Sequence, residues 1–191
     1  MDSRWWVVLG GIGCLLLLVL GLAIGVGVAE SGTVVEGTVV TTHVGNVTET
    51  TDELVLVVRG DSRFATGLTE RLDDRLTSEG YVIQRADSLD GVDRSRVLVV
   101  DVTRADLQPG ILTHQATLAV ETYYTNHWNQ PNYEAYRRNG SVSATDDGVM
   151  VVGGEFRIHD RTRGLPGRYR ARLTAAMVDV VVDDFRGDWP A

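Results

Sequence analysis

Residues 53–80 read ELVLVVRGDSRFATGLTERLDDRLTSEG, and this stretch contains the two kinds of element that decide the fold. Residues 53–59 form a nearly continuous apolar run, which is typical of a strand that is central in a sheet or buried on both faces. The residues that follow predict an amphipathic helix over 62–79, because an apolar side chain recurs at every fourth position before Gly80 ends the pattern. These apolar residues are Phe64, Leu68, Leu72 and Leu76.

Further strands and a second helix are predicted around this unit. The strands are expected at 33–44, 81–85, 96–103, 111–124 and 149–159, and the last helix is expected to begin at Pro166. Residues 111–124 alternate between apolar and polar side chains, as in a half-buried strand of an antiparallel or mixed sheet. The sequence therefore predicts an α+β fold, a two-layer sandwich in which two helices pack on one face of a five- or six-stranded mixed or antiparallel sheet.

This order of elements over about residues 53–186 is similar to that of small envelope-assembly lipoproteins, such as the lipopolysaccharide-transport lipoprotein. Those proteins also carry helices on a small mixed sheet. The likeness rests on element order, and no lipobox accompanies it, because Leu15–Leu18 follow Cys14 directly and Gly11 stands where a lipobox has Leu or Val. The resemblance therefore implies a fold and transfers no function.

Residues 5–29 form a 25-residue run without a charge, WWVVLGGIGCLLLLVLGLAIGVGVA. At about 1.5 Å per residue, a helix of this length crosses the roughly 30 Å hydrocarbon core of a bilayer. We expect a transmembrane anchor, with a cleaved signal peptide as the alternative. Arg4 before the run and acidic residues after it predict that residues 1–4 are cytoplasmic and that the following domain lies outside the cell membrane. Residues 30–52 are interpreted as a strand and linker region, and residues 53–191 as the extracytoplasmic α+β domain.

Two smaller patterns agree with this placement. A stripe of small residues along the predicted anchor would let it associate with another helix, and so let the chain form a homo-oligomer. This stripe consists of Gly10, Cys14, Gly21 and Gly25. Asn46 and Asn139 each begin an N-x-[ST] sequon, which is compatible with glycosylation outside the membrane.

The charge and the motifs exclude several classes of protein. The chain has 26 acidic residues against 18 basic ones, all of them Arg, and its net charge of -8 repels nucleic-acid phosphates. Abundant acids without Lys are typical of proteins adapted to high salt. There is no P-loop, GxSxG, HExxH or CxxC, and the four His lack metal-ligand spacing. We therefore expect no cofactor, no metal site, no nucleic-acid partner and no enzymatic activity.

The first candidate binding region is the segment 123–139, YYTNHWNQPNYEAYRRN. Tyr and Trp side chains among amides are typical of protein interfaces and sugar sites, since they combine apolar faces with hydrogen-bonding groups. The alternative is that the rings pack back onto the sheet. The candidate binding residues are Tyr123, Tyr124, His127, Trp128, Tyr133 and Tyr136.

The second candidate region is an Arg-rich strip over 157–172, opposed only by Asp160. Its residues are Arg157, Arg161, Arg163, Arg168, Arg170 and Arg172. Several of them fall in the first turns of the last helix, where cations oppose the helix dipole, so helix electrostatics does not account for the pattern. Two interpretations remain, namely internal pairing with Asp101, Glu121 or Glu155, and a basic surface for an acidic protein, anionic head groups or an anionic glycan.

Together these features predict a single-pass membrane-anchored accessory or assembly protein that binds another envelope or membrane protein, an unidentified partner, without catalysis. An extracytoplasmic module for a small ligand or glycan is the first alternative. An envelope hydrolase with a dispersed catalytic site is the second.

Overall fold

The structure is a computed structural model that describes residues 32–43, 52–60, 62–92, 96–108, 114–140, 149–162 and 166–186. Its elements are β1 (Gly32–His43), β2 (Glu53–Gly60), α1 (Ser62–Ser78), β3 (Val82–Arg85), β4 (Val97–Gln108), β5 (His114–Thr125), α2 (Gln130–Asn139), β6 (Met150–Thr162) and α3 (Pro166–Arg186). None of these three helices has the length and apolar character needed to cross a bilayer. The predicted anchor at 5–29, its stripe of small residues and Asn46 lie outside the described residues.

The six strands form one mixed sheet in the order β1-β6-β5-β4-β2-β3. β2 runs parallel to its two neighbours, β3 and β4, whereas the β4–β5, β5–β6 and β6–β1 pairs are antiparallel. A register shift between Val102 and Arg104 interrupts the β4–β5 ladder. The predicted α+β class is therefore confirmed, and of the alternatives of five or six strands in a mixed or antiparallel sheet, the described residues form six strands in a mixed sheet.

The main core lies between α1, α3 and one face of the sheet, which we call the main face. The three Leu residues of α1, Leu68, Leu72 and Leu76, are fully buried there against the sheet and α3. Each buried Leu contributes about 1.5–3 kcal/mol to the stability of the fold. The four-residue spacing of these side chains thus produces the packing that it predicted.

A third helix, α2, covers part of the opposite face, which we call the second face. The expectation of only two helices was therefore wrong. β2 and β4 bury side chains on both faces, so each face needs a cover, and Val57 and Val99 pack under α2. Helix α2 begins where the Asn129 side chain accepts a hydrogen bond from the Asn132 N–H at 3.2 Å. It ends at Gly140, whose φ is 66°.

The two edges of the sheet differ in length and protection. β3 has only four residues, which is a common way to protect a sheet edge. β1 has twelve, and it pairs with β6 in an unbroken register that runs from Gly32 opposite Arg161 to His43 opposite Met150. One complete backbone edge of the sheet is therefore formed by β1.

Candidate functional site

The predicted aromatic segment folds into a cluster of rings on the second face. The ring centroid of Tyr123 lies 5.1 Å from that of Tyr133, 5.3 Å from that of Tyr136 and 6.3 Å from that of Trp128. Tyr123, Trp128 and Tyr133 are buried, and Tyr124 points to the main core instead. Such ring pairs contribute about 0.5–1.5 kcal/mol each beyond their buried area. These rings pack against the second face of the sheet, and Trp128 also borders a cavity described below.

A glycine makes room for the outermost ring of this cluster. A Cβ atom at Gly153 would lie 2.5 Å from Cε2 of Tyr136, so only a residue without a side chain fits beneath this ring. The Tyr136 hydroxyl donates a long hydrogen bond of 3.4 Å to the Gly154 carbonyl. The pKa of Tyr136 is raised to about 12, mainly by burial and also by the nearby carboxylates of Glu121 and Glu155.

Two candidate residues of the segment have other surroundings. Burial raises the pKa of Tyr123 far above its usual value, and its hydroxyl has no hydrogen-bond partner in the part of the chain that the structure describes. His127 is half-buried, and its backbone N–H donates to the Thr125 hydroxyl at 3.2 Å. The described residues contain no group of three or more His, Cys, Asp or Glu placed to hold a metal ion.

A cavity of about 630 Å³ opens beside the aromatic cluster, between the C-terminal end of β2, the segment after β3 and helix α2. Clefts beyond the carboxyl ends of parallel strands are common ligand sites. Three Arg and three acidic residues line this cavity together with Trp128 and Tyr133. The charged residues are Arg59, Arg137, Arg138, Asp87, Asp90 and Glu134. The number of positive charges therefore equals the number of negative ones.

Arg59 is held at the cavity wall by Asp101 of the neighbouring strand. Its Nε and Nη2 atoms donate to the two carboxylate oxygens of Asp101 at 2.7 and 2.8 Å. The guanidinium also contacts the Tyr133 hydroxyl and lies 5.5 Å from the centre of that ring. Arg59 was not among the site residues predicted from the sequence. The sequence does contain a signal for this pair, because the apolar runs of β2 and β4 are followed by residues of opposite charge, Arg59 and Asp101.

The predicted Arg strip is divided between the two faces. Arg157 and Arg161 are exposed on β6, where they alternate with the core residues, and Arg157 pairs with Glu155 at 3.3 Å. Arg170 of α3 lies over the Phe64 ring at 5.7 Å, and Arg172 bonds to Asp160. Arg168 lies within α3, and Arg163 is outside the described residues. The described members of the strip therefore do not form one continuous basic surface.

Asp160 connects β1, β6 and α3. Its buried carboxylate accepts hydrogen bonds from Arg172 at 2.8 and 2.6 Å and from the Thr33 hydroxyl at 2.8 Å. Its backbone carbonyl accepts a hydrogen bond of 2.8 Å from the Tyr169 hydroxyl. The pKa of Tyr169 is raised to about 12, mainly by burial and also by the Asp160 carboxylate. Among the predicted strip residues, Arg172 thus has a structural contact that ties α3 to the sheet.

Two further features bear on the outer surface of the domain. Asn139, the second predicted glycosylation residue, is exposed at the end of α2. Three Val side chains on the β1 edge strand are also exposed, and the sequence analysis did not single them out. They are Val34, Val35 and Val40, at 55, 45 and 45% exposure.

No protein family and no curated protein matches the chain. It is similar to solved structures at low identity. A PelC dodecamer from Paraburkholderia phytofirmans is 14% identical, with 74% of this chain and 93% of that chain covered and a TM-score of 0.39. The lipoprotein GNA1162 from Neisseria meningitidis is 16% identical, with 69% and 99% covered and a TM-score of 0.37. A putative neuraminyllactose-binding hemagglutinin homolog from Helicobacter pylori is 11% identical, with 76% and 88% covered and a TM-score of 0.30.

Proposed function

We propose that this chain is a single-pass membrane-anchored extracytoplasmic accessory or assembly protein that binds another envelope or membrane protein. One observation carries the binding part of this proposal, namely the long β1 edge with its exposed Val side chains. The membrane part rests on the uncharged run at 5–29 and on Arg4 before it. Protease added to intact cells should therefore digest the domain that follows residue 30. A domain that stays intact until the cells are lysed would contradict the proposed orientation.

The β1 edge lacks the features that usually keep sheet edges unpaired. Proteins protect such edges with short strands, Lys, Pro or β-bulges. β1 has twelve residues, no Pro, no basic residue other than its terminal His43, and no irregularity in its register with β6. Its one acidic residue is Glu36. A strand of this kind supports the addition of an extended segment from a partner protein.

The side chains of β1 support the same mode of binding. Val34 and Val40 are exposed on the second face of the sheet, and Val35 is exposed on the main face. A partner strand paired with β1 would place its own side chains beside these Val residues on both faces, while backbone hydrogen bonds supply affinity. The proposed partner segment is therefore a β-strand with apolar residues on both sides.

Site-specific photo-crosslinking in native membranes tests the proposal. A benzophenone side chain replaces Val40 on β1, and the same side chain at Val82 on the opposite edge is the matched control, since Val82 is also exposed, at 61%. We expect a protein adduct from position 40 and none from position 82. The absence of any protein adduct from position 40, or equal adducts from both positions, would contradict the proposal.

A second candidate function, the binding of a small ligand or glycan, is favoured by the cavity beside Trp128. Its balanced charges and its Trp and Tyr edges suit a neutral polar ligand that donates and accepts hydrogen bonds. Titration with maltose and with mannobiose, followed by Trp fluorescence, tests this candidate. A saturable change that disappears in Trp128→Phe and Arg137→Ala would support it, whereas a change that survives both substitutions would contradict it.

A further inference from the structure

The geometry points to a second copy of this chain as the partner on the β1 edge. We infer that two β1 strands pair antiparallel, with Gly37 of one copy opposite Gly37 of the other. This inference rests on the proposed function, since it names the occupant of the edge that the proposal describes. Its support is the sequence of β1 and the position of that strand in the sheet.

Residues 33–41 read TVVEGTVVT, which is nearly the same sequence in both directions. Read backwards, the segment is TVVTGEVVT, and it differs only at positions 36 and 38. Antiparallel pairing about Gly37 therefore brings like residues together. It places Thr33 opposite Thr41, Val34 opposite Val40, Val35 opposite Val39, and Glu36 opposite Thr38.

The position of Glu36 selects this register over its neighbours. In the register about Gly37, the carboxylate of each copy lies opposite a Thr hydroxyl. A shift of two residues in one direction would place Glu36 opposite Glu36, and like charges directly opposite each other are destabilising. A shift of two residues in the other direction would place Glu36 opposite Val40. A shift of one residue would turn every side chain of one strand to the wrong face.

The exposed side chains and the neighbouring charges also fit this register. Val34 and Val40 are exposed on the second face, so each would be covered by its counterpart in the other copy. Glu36 lies beside Arg157 on β6 of its own sheet, so a cation is next to the only acidic residue of the strand. The two six-stranded sheets would become one twelve-stranded sheet related by a two-fold axis at Gly37. Such an arrangement pairs the outer edges of both β1 strands at once.

Disulfide crosslinking of the full-length protein tests the register. Two differently tagged chains, one with Val34→Cys and one with Val40→Cys, are co-expressed in a Cys14→Ser background and oxidised in native membranes. We expect a disulfide heterodimer from the mixture and no disulfide from either variant alone. Two copies of residue 34 would lie about six residues apart along the paired strands, roughly 20 Å, which exceeds the Cα separation of about 7 Å that a disulfide permits.

The possible outcomes separate this inference from the proposed function. A missing heterodimer overturns the inference, and the proposed function stands if the photo-crosslinker at position 40 still captures another protein. If neither the disulfide heterodimer nor a photo-crosslinked adduct is found, both the inference and the proposed function are overturned. Disulfides from Val34→Cys alone, or equal yields when Val82→Cys replaces Val40→Cys, also overturn the inference.

A second variant checks the result without introducing a crosslink. Val40→Lys places a charge on the edge of β1, and Val82→Lys places the same charge on the opposite edge of the sheet. We expect Val40→Lys to weaken self-association at least tenfold by analytical ultracentrifugation, and Val82→Lys to leave it unchanged. Circular dichroism confirms that both variants are folded. A dimer that persists in folded Val40→Lys overturns the inference and points instead to association elsewhere, such as the small-residue stripe at 10–25.

Discussion

The ion pair between Asp160 and Arg172 is asymmetric, and this asymmetry predicts what happens when either residue is replaced. The Asp160 side chain is fully buried, whereas 53% of the Arg172 side chain is exposed. Of the three hydrogen bonds that the carboxylate accepts within the described part of the chain, Arg172 donates two and Thr33 donates one. The buried Asp160 carboxylate therefore needs Arg172 to compensate its charge, whereas the exposed part of the Arg172 guanidinium is solvated by water.

Arg172→Met should destabilise the protein by roughly 3–5 kcal/mol, because among the described residues it leaves the buried carboxylate with only the Thr33 hydroxyl as a partner. Asp160→Asn should cost less, about 1–3 kcal/mol, since the amide is neutral and the half-exposed guanidinium returns to water. The double variant should be more stable than Arg172→Met alone, because the second substitution removes the unpaired buried charge. This rescue is the distinctive result.

Thermal and urea unfolding of the full-length protein, followed by circular dichroism at one fixed salt concentration, measures these effects. In a domain of this size, a loss of 3–5 kcal/mol lowers Tm by roughly 6–20 °C. Arg157→Met is the control, since its partner Glu155 is exposed and the pair should contribute less than about 1 kcal/mol. The reasoning fails if Arg172→Met costs no more than Asp160→Asn, or if the double variant is less stable than Arg172→Met.

Three further predictions concern buried Tyr and Gly residues. Tyr123→Phe should raise the free energy of unfolding by about 1 kcal/mol in urea titrations, since it removes a buried hydroxyl with no partner among the described residues; a loss of stability would argue against this reading. Gly153→Ala should lower the free energy of unfolding by about 1–3 kcal/mol in the same assay, because the new Cβ would lie 2.5 Å from the ring of Tyr136. An unchanged urea midpoint would contradict this close packing. The contribution of Tyr169 to stability should be constant up to about pH 10 and be lost between pH 10 and 12. The folded protein keeps Tyr169 protonated up to a pKa of about 12, while the unfolded chain loses this proton near 10. Urea midpoints across this range should fall less steeply in Tyr169→Phe, and an identical slope would contradict the assignment.

Elements with a regular local pattern of apolar residues were predicted well from the sequence. The apolar run of β2 and the four-residue spacing of α1 depend on residues that are close in the chain, so both elements lie within a residue of their predicted bounds. β6 was expected at 149–159 and extends to Thr162, because its pairing with β1 and β5 continues beyond the apolar pattern. The end of β6 is therefore set by its pairing partners, and the sequence of β6 alone does not predict it.

Helix α2 was missed because its ten residues are mostly polar and only Tyr133 is buried. The capping signals were nevertheless present, with Asn129 before the helix, Pro131 in its first turn and Gly140 after it. These end signals, rather than hydrophobic spacing, are what indicates α2 in the sequence. The face on which α2 packs follows from the double-sided burial of β2 and β4, which the sequence of α2 does not encode.

The candidate binding surfaces were harder to predict because they depend on contacts between distant residues. Arg157 and Arg172 are 15 positions apart, yet the alternation of β6 and the packing of α3 place them in different surroundings. The nearly symmetric sequence of β1 was readable, but its position at the edge of the sheet follows only from the strand order. The same strand in the middle of a sheet would have no free edge to offer.

Residue-resolved hydrogen–deuterium exchange of the β1 amides shows whether a second strand is paired with the outer edge of β1. The full-length protein would be measured in native-lipid discs, with its partners retained. An edge strand protects only alternate amides, those that face β6, whereas a strand paired on both sides protects consecutive ones. We expect slow exchange at every amide from 33 to 41, and faster exchange at alternate positions in Val40→Lys. Rapid exchange at alternate amides of the unmodified protein would show that the edge is unoccupied and would contradict β1 pairing.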